Sequence, residues 1–400
     1  MTAESNNMNS KVIPYGRQDI NDDDIRAVVS TLQSDYLTQG PQILEFEQKF
    51  AKYIGCKYAI AVANGTAALH LATLVLGVSK GDKVITTPIT FAASANCVRY
   101  CDGEVVFSDI DPDTYLIDIE GVRSLLENAP KGTYKGIIPV DFAGAAVNLE
   151  ALRKLANEFG CWIIEDACHA PGAYFVDSNN EKQNCGNSNL ADLAIFSFHP
   201  VKHIACGEGG MITTNNETLY GKLLKLRTHG ITKEPALMHE NDGGWYYEMQ
   251  ELGYNYRLTD FQAALGITQL QRADNGLKRR REIAATYNNV FKTIEAIKGQ
   301  SGVVDGHAYH LYIIETDKRK ELYDYLRTRN IFCQVHYIPV HTQPYYKQFG
   351  WKEGDFYNAE MYYKRCLSLP IYPTLTDIEQ DYVIKSIIDF FNNDFETSLI

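Results

Sequence analysis

Short apolar runs alternate along the chain with longer stretches whose apolar residues recur at helical spacing, with no internal repeat or low-complexity linker. Ile25, Val28, Val29 and Leu32 share one face of a helix expected over residues 22–32, and aspartates fill its first turn, where the helix dipole favours them. A second helix is expected over 43–54 and a buried strand over 58–63. A helix then opens at Gly65-Thr66, with Ala68, Leu71, Ala72 and Val75 on one face. Residues 83–87, 105–109, 136–141, 162–166 and 191–197 read as further strands. Most are far enough apart for a helical crossover, which parallel pairing requires. The fold class read from this pattern is α/β, with a mainly parallel sheet.

After Arg257 the pattern changes. Residues 261–287 predict a long helix or helix pair carrying the basic cluster Lys278-Arg279-Arg280-Arg281. Strands are expected over 307–314 and 332–337, a helix over 318–328, and an amphipathic stretch over 378–391. This divides the chain into a large domain over 12–260 and a smaller α+β domain over 261–400. The segment 1–30 is free to pack with the smaller one.

Composition narrows the function classes. At 400 residues and 45% hydrophobic, the chain is long and apolar enough for two packed domains. A net charge of -12 disfavours nonspecific binding to nucleic acid, although a local basic patch can still hold a small phosphorylated molecule. The nine cysteines form no Cys-x-x-Cys framework, which fits reduced, mostly buried thiols rather than a zinc or disulfide scaffold. Residues 1–11 lack the apolar core of a signal peptide, and no apolar run reaches membrane-spanning length. These features predict a soluble cytoplasmic protein with no membrane, nucleic-acid or metal partner.

Polar residues follow the strands repeatedly: Asn64, Asp109, Asp141, Asp166 and Ser197. Ligands of open α/β sheets collect beyond the carboxyl ends of the strands, so these positions predict a shared cleft. Lys202 follows Ser197 closely and precedes the turn 207–210, while Asp166 ends another apolar run. A lysine amine able to form a Schiff base and a carboxylate able to keep a pyridine nitrogen protonated are what pyridoxal 5'-phosphate (PLP) chemistry needs. Gly65 and Thr66 offer free N–H groups and a hydroxyl to a phosphate, but Asn64-Gly65-Thr66 also reads as an ordinary helix cap. Ser197 is a second phosphate candidate or a strand-end hydroxyl bound to local backbone. Phe91 offers a face to a pyridine ring, or belongs to the core. His169 faces the same choice between cofactor and structure. His199 and His203 read as turn residues, and 207–210 reads as a tight turn into a strand.

Together these segments resemble the DegT/StrS-type sugar-nucleotide aminotransferases, of the aspartate-aminotransferase fold (fold type I PLP), over roughly residues 13–391. The likeness rests on Tyr36-Leu37-Thr38-Gln39-Gly40-Pro41, residues 64–69, Glu165-Asp166-Ala167-Cys168-His169-Ala170, residues 197–210, Gly253-Tyr254-Asn255-Tyr256-Arg257 and Gln334-Val335-His336-Tyr337. The resemblance implies PLP as cofactor, with Lys202 as the Schiff-base lysine and Asp166 as partner of the pyridine nitrogen. It implies Phe91 as the stacking aromatic, Thr66 and Ser197 as phosphate ligands, and His169 as a cofactor contact. Asn64 stands where many members have serine. Asn255 resembles an asparagine that reaches the phosphate of a neighbouring subunit, which implies a homodimer with shared active sites. Residues 86–91, 197–202 and 334–339 look most like the members of pseudaminic-acid pathways. That implies amino transfer from glutamate to C4 of a UDP-linked 4-keto-6-deoxy-N-acetylhexosamine. Tyr36, His307, Tyr309, His310, His336 and Tyr337 are the candidate substrate contacts, with packing in the smaller domain as the alternative reading of the last five. Relatives acting on other 3- or 4-keto sugars share the scaffold. Some relatives carry histidine for the lysine and are dehydratases, so Lys202 favours amination; a non-catalytic sugar-nucleotide-binding regulator is the third reading.

Overall fold

Connection length sets the direction of the strands. The computed structural model describes residues 11–301 and 306–397, so the polar stretch 1–10 lies outside the described residues. A seven-stranded sheet runs, edge to edge, Tyr58–Val62, Gly210–Thr214, Leu193–Ser197, Trp162–Asp166, Tyr134–Ile138, Lys83–Thr86 and Glu104–Phe107. Strands joined through helices, such as Lys83–Thr86 and Glu104–Phe107 across Ala93–Tyr100, pair in parallel. No helix separates Ser197 from Gly210, and Gly210–Thr214 accordingly turns back antiparallel to Leu193–Ser197 and to Tyr58–Val62. The sheet is thus mainly parallel with one reversed strand, and Lys202 sits in the connection that makes the reversal.

The helix expected over 22–32 forms as Asp22–Leu32. Asn21 accepts from the N–H groups of Asp23 and Asp24, and Asp24 answers on the Asn21 N–H. The next helix starts earlier than its apolar pattern, at Pro41, whose fixed φ and missing N–H suit a first turn. It ends at Gly55, which takes the left-handed φ of 88°. The helix Gly65–Val75 buries Ala67 through Thr73 rather than a single stripe, because it lies between the sheet and two other helices.

The smaller core gathers Ile283, Tyr287, Ile314, Leu322, Leu369 and Val383, with Ile13 from the opposite end of the chain. Ile13–Pro14 pairs in parallel with Ile331–Phe332 and ties the start of the described chain to this core. Two strand expectations are shortened here. Within 307–314 only Tyr312 onward is strand, in Tyr312–Glu315, and residues 307–310 form a turn with Tyr309 at φ 48°. Within 332–337 the strand is Ile331–Phe332, after which a cis peptide joins His336 to Tyr337. Both departures occur where His310, His336 and Tyr337 line a cavity rather than a sheet face. Residues 261–287 form two helices, Asp260–Gln271 and Ala273–Phe291. Their basic cluster is not a solvated face: Arg279 pairs with Asp377, Arg281 donates to the carbonyl of His307, and Arg280 is buried. No helix among the described residues is long and apolar enough to cross a membrane.

Candidate active site

The carboxyl ends of the strands open onto a cavity of ≈ 420 Å³. Asn64, Gly65 and Thr66 line it beyond Tyr58–Val62, Phe91 beyond Lys83–Thr86, and Asp166 and Ser197 at the ends of their own strands. Lys202, His169, His310, His336 and Tyr337 complete the expected set that meets there. Asn255 and Tyr36 do not line the cavity: Asn255 is exposed and bridges Thr228, and Tyr36 is 55% exposed.

At the mouth of the helix Gly65–Val75, Asn64 Oδ1 accepts from Ala67 N at 2.8 Å, so the helix-cap role is filled. The N–H groups of Gly65 and Thr66 keep no intramolecular acceptor among the described residues, and they face the cavity. A Cβ on Gly65 would come within 3.0 Å of Ser197 Cβ, so glycine is what lets the helix end approach that strand end. The result is an anion cradle of amides and two hydroxyls at the positive end of a helix dipole. Ser197 Oγ also accepts from His199 N at 3.4 Å, a weak local contact that leaves it free to serve a ligand.

Asp166 is buried, and both its oxygens are held. Oδ2 accepts from Ser94 Oγ at 2.6 Å, Oδ1 from Cys168 N at 3.2 Å, and Ser94 Oγ lies 2.7 Å from Thr90 Oγ1. Phe91 lies 61% exposed on the cavity wall, tilted 6.2 Å from the Tyr337 ring. Phe91 is therefore not part of the core, and its open face is available to a planar ligand. Lys202 Nζ sits 3.4 Å from His310 Nε2. Burial lowers the lysine pKa below its ordinary value; Cys168 and Asp166 oppose this, and Arg280 adds to it. Burial and Asp166 hold the Cys168 thiol well above its ordinary pKa, so at neutral pH it is uncharged and Asp166 is the acid that faces the amine.

His169 Nδ1 lies 3.3 Å from the Ala143 N–H, which can only donate, so the ring proton sits on Nε2, 3.3 Å from the Tyr337 hydroxyl. Its ring stands 4.3 Å from that of His310. His336 Nδ1 pairs with Ser368 Oγ at 2.9 Å, and burial lowers its pKa to about 3. Burial likewise keeps His169 and His310 neutral. His203 behaves as a turn residue, with Nε2 at 3.0 Å from the Ala308 carbonyl. Ser94, Thr90 and Tyr15, which also line the cavity, were not anticipated. Ser94 and Thr90 carried one signal, hydroxyls four residues apart on either side of the strand-to-helix junction; Tyr15 carried none.

Two strand-end acids lie outside the cleft expected of them. Asp109 caps the helix Tyr357–Arg365, accepting from Asn358 N and Ala359 N at 2.9 Å each. Asp141 is buried against Glu165 and Cys185, with one ligand-type atom from each within 4.8 Å of the others. Its Oδ1 accepts from Val147 N, and Glu165 Oε2 accepts from Gly186 N. The remaining oxygens, Asp141 Oδ2 and Glu165 Oε1, are buried without a hydrogen-bond partner, a lack that a proton shared between the two carboxyls would satisfy. Burial raises both groups, Asp141 to about 6 and Glu165 well above the usual range, where Asp141 adds to the rise. Groups that bind protons more tightly when folded contribute stability that is full below the unfolded carboxylate pKa of about 4 and fades as pH climbs through the folded values. The melting temperature should therefore fall as pH climbs from about 4 through about 6, where Asp141 titrates, and beyond it as Glu165 loses its proton. Asp141→Asn, whose amide replaces the shared proton, should flatten that fall; equal falls in both proteins would refute the shared proton.

Comparison with known proteins places this geometry among relatives. The model of the DegT/DnrJ/EryC1/StrS aminotransferase family matches residues 18–388. The spore coat polysaccharide biosynthesis protein SpsC of Bacillus subtilis is 40% identical over 386 residues, covering 94% of this chain and 96% of that protein. Among solved structures, PseC of Helicobacter pylori, an aminotransferase involved in the biosynthesis of pseudaminic acid, superimposes with a TM-score of 0.86. It is 29% identical, over 96% of this chain and 100% of PseC. The putative sugar aminotransferase Spr1654 of Streptococcus pneumoniae, in its PMP form, gives a TM-score of 0.84 at 29% identity, over 94% of this chain and 98% of that one.

Proposed function

The chain belongs to the DegT/DnrJ/EryC1/StrS aminotransferase family, and we propose that it moves an amino group from glutamate to C4 of a UDP-linked 4-keto-6-deoxy-N-acetylhexosamine. As a member it is a sugar aminotransferase that works with PLP. The observation that carries the proposal is the meeting of Lys202, Asp166 and the amide cradle of Gly65 and Thr66 on one cavity. An amine, an acid and an anion site suit the aldehyde, the ring nitrogen and the phosphate of that cofactor.

When bound, PLP supplies an electron sink that lets a proton leave the carbon next to the transferred nitrogen. The protein's own groups do the rest. Lys202 Nζ, whose pKa burial lowers below the ordinary lysine value, would act first as nucleophile and then as the base and acid that carry that proton. Asp166, fixed by Ser94 and by the Cys168 amide, would hold a proton on the pyridine nitrogen. Phe91 would cover one ring face, and Gly65, Thr66 and Ser197 would hold the phosphate. His169 and Tyr337 would limit water and border the ring. Asn255 and Tyr36, exposed and outside their own chain's cavity, suit a homodimer in which each protomer completes its partner's site.

His310, His336 and Tyr337 are assigned to the sugar side of the cavity. Burial keeps both histidines neutral, so each offers a hydrogen bond without placing a charge beside the ketone. The likeness to PseC supports the C4 ketone and the pseudaminic-type hexosamine, and the likeness to SpsC fits a product used for a cell-surface polysaccharide. A nucleotide-sugar substrate would suit a reaction in the cytoplasm, and we assign it there.

The test is purified holoenzyme with glutamate against UDP-, GDP- and dTDP-linked 3- and 4-keto sugars, read by product mass. The UDP-linked 4-keto-6-deoxy-N-acetylhexosamine should give the product in which an amine replaces the carbonyl oxygen. A product lighter by one water, or amination confined to another nucleotide or carbon, would overturn the assignment.

A further inference from the structure

Arg280 is a cation 1% exposed with no carboxylate partner among the described residues. Burying an unpaired guanidinium costs several kcal/mol, and an apolar side chain of similar volume would avoid that cost. Its Nη1 donates to three carbonyls, those of Tyr309 at 3.2 Å, His310 at 3.3 Å and Ile371 at 2.9 Å, while its Nε is buried without a partner. Two of those carbonyls belong to the turn that holds Tyr309 at φ 48°, a backbone conformation a tyrosine rarely adopts. The same turn is held by Tyr309 N on His307 Nδ1 at 2.8 Å, by Arg281 on the His307 carbonyl, and by His203 on the Ala308 carbonyl. Its last residue is His310, whose Nε2 lies 3.4 Å from Lys202 Nζ.

We propose that Arg280 is a positioning residue for Lys202: through the His310 carbonyl it pins the turn that presents His310 to the lysine amine, and it supplies a fixed positive charge near that amine. The inference rests on reading Lys202 as the Schiff-base residue. The groups facing Lys202 leave Arg280 this role. Asp166 favours the charged amine, and Cys168 is a neutral thiol at working pH. Burial keeps His169, His203, His310 and His336 neutral, so none of them supplies a steady positive charge. Arg280 retains its charge, since burial lowers it only to about 10. A nearby cation disfavours the ammonium form and so enlarges the fraction of Lys202 present as free nucleophile.

The experiment compares wild type, Arg280→Met and Arg280→Lys. Methionine removes the charge without leaving a buried donor, a type of exchange that buried charged sites often tolerate. The cofactor-free proteins are labelled with acetic anhydride across a pH series, and acetylation of Lys202 is followed by peptide mass mapping. The holoenzymes are assayed for the pH dependence of kcat/KM. In Arg280→Met the labelling midpoint should rise by on the order of half a pH unit or more, and the rising limb of kcat/KM should move with it. Arg280→Lys should restore the midpoint while kcat stays reduced, because an ammonium keeps the charge but not the three-carbonyl clamp. An unmoved midpoint in Arg280→Met, or a midpoint in Arg280→Lys shifted as far as in Arg280→Met, overturns the inference. Should the methionine variant fail to fold, the lysine variant decides alone: a wild-type midpoint with reduced kcat supports the inference, and any other pairing overturns it. Borohydride reduction separates this outcome from failure of the functional reading. Cofactor fixed on Lys202 with an unmoved midpoint overturns only the role of Arg280, whereas cofactor fixed elsewhere overturns the reading beneath it.

Discussion

Lys202→Ala should fold normally and lose turnover by at least roughly a thousand-fold. The fold should survive because Lys202 makes one weak side-chain contact, to His310 at 3.4 Å, and forms no ion pair among the described residues. The catalytic loss should be large because one nitrogen would serve both as nucleophile and as proton carrier, and no other lysine among the described residues lines the cavity. Thermal melting of the variant should match wild type, while amino transfer, followed by product mass, falls to background. Lys202→Arg should not rescue it, since a guanidinium stays protonated at working pH. Wild-type turnover by either variant would remove Lys202 from the chemistry.

Asp166→Asn is expected to have the second largest effect, a loss of roughly a hundred- to ten-thousand-fold in kcat/KM. Asparagine keeps the size of the side chain and one acceptor for Ser94 or the Cys168 amide, so the loss would come from the missing negative charge opposite the pyridine nitrogen. The same charge favours the ammonium form of Lys202. Acetylation of Lys202 in the cofactor-free variant should therefore shift to lower pH, opposite to the shift expected for Arg280→Met. A loss of activity with the labelling midpoint unchanged would mean that Asp166 acts through packing rather than charge.

The sequence disclosed those parts of the site that a short stretch of chain builds by itself. Asn64-Gly65-Thr66 joins a strand to a helix, and that junction alone aims amides at an anion. Asp166 and Ser197 end apolar runs, and Lys202 lies in a connection too short for a crossover helix, so their placement at one edge follows from local pattern and sheet topology. What stayed hidden depends on residues that meet only after folding. Ser94 reaches Asp166 across 72 positions, and Arg280 reaches Ile371 across 91. Within Lys278-Arg279-Arg280-Arg281, nothing in the composition distinguishes the buried arginine from its half-exposed neighbours. Asp109 and Asp141 resemble Asp166 as strand-end acids, yet one caps a helix from the other half of the chain and the other is buried against Glu165 and Cys185. A strand-end carboxylate is an invitation to several partners, and the long-range packing selects among them. The turn 307–310 read as strand for the same reason: its apolar neighbours suggested a sheet, while its conformation is set by Arg280, Arg281 and His203.

The central claim is that Lys202 carries the cofactor. Purified protein loaded with PLP, reduced with borohydride and digested should yield a single modified peptide, with the cofactor's mass on Lys202. Modification of a different lysine, or none with PLP tightly bound, would contradict the account.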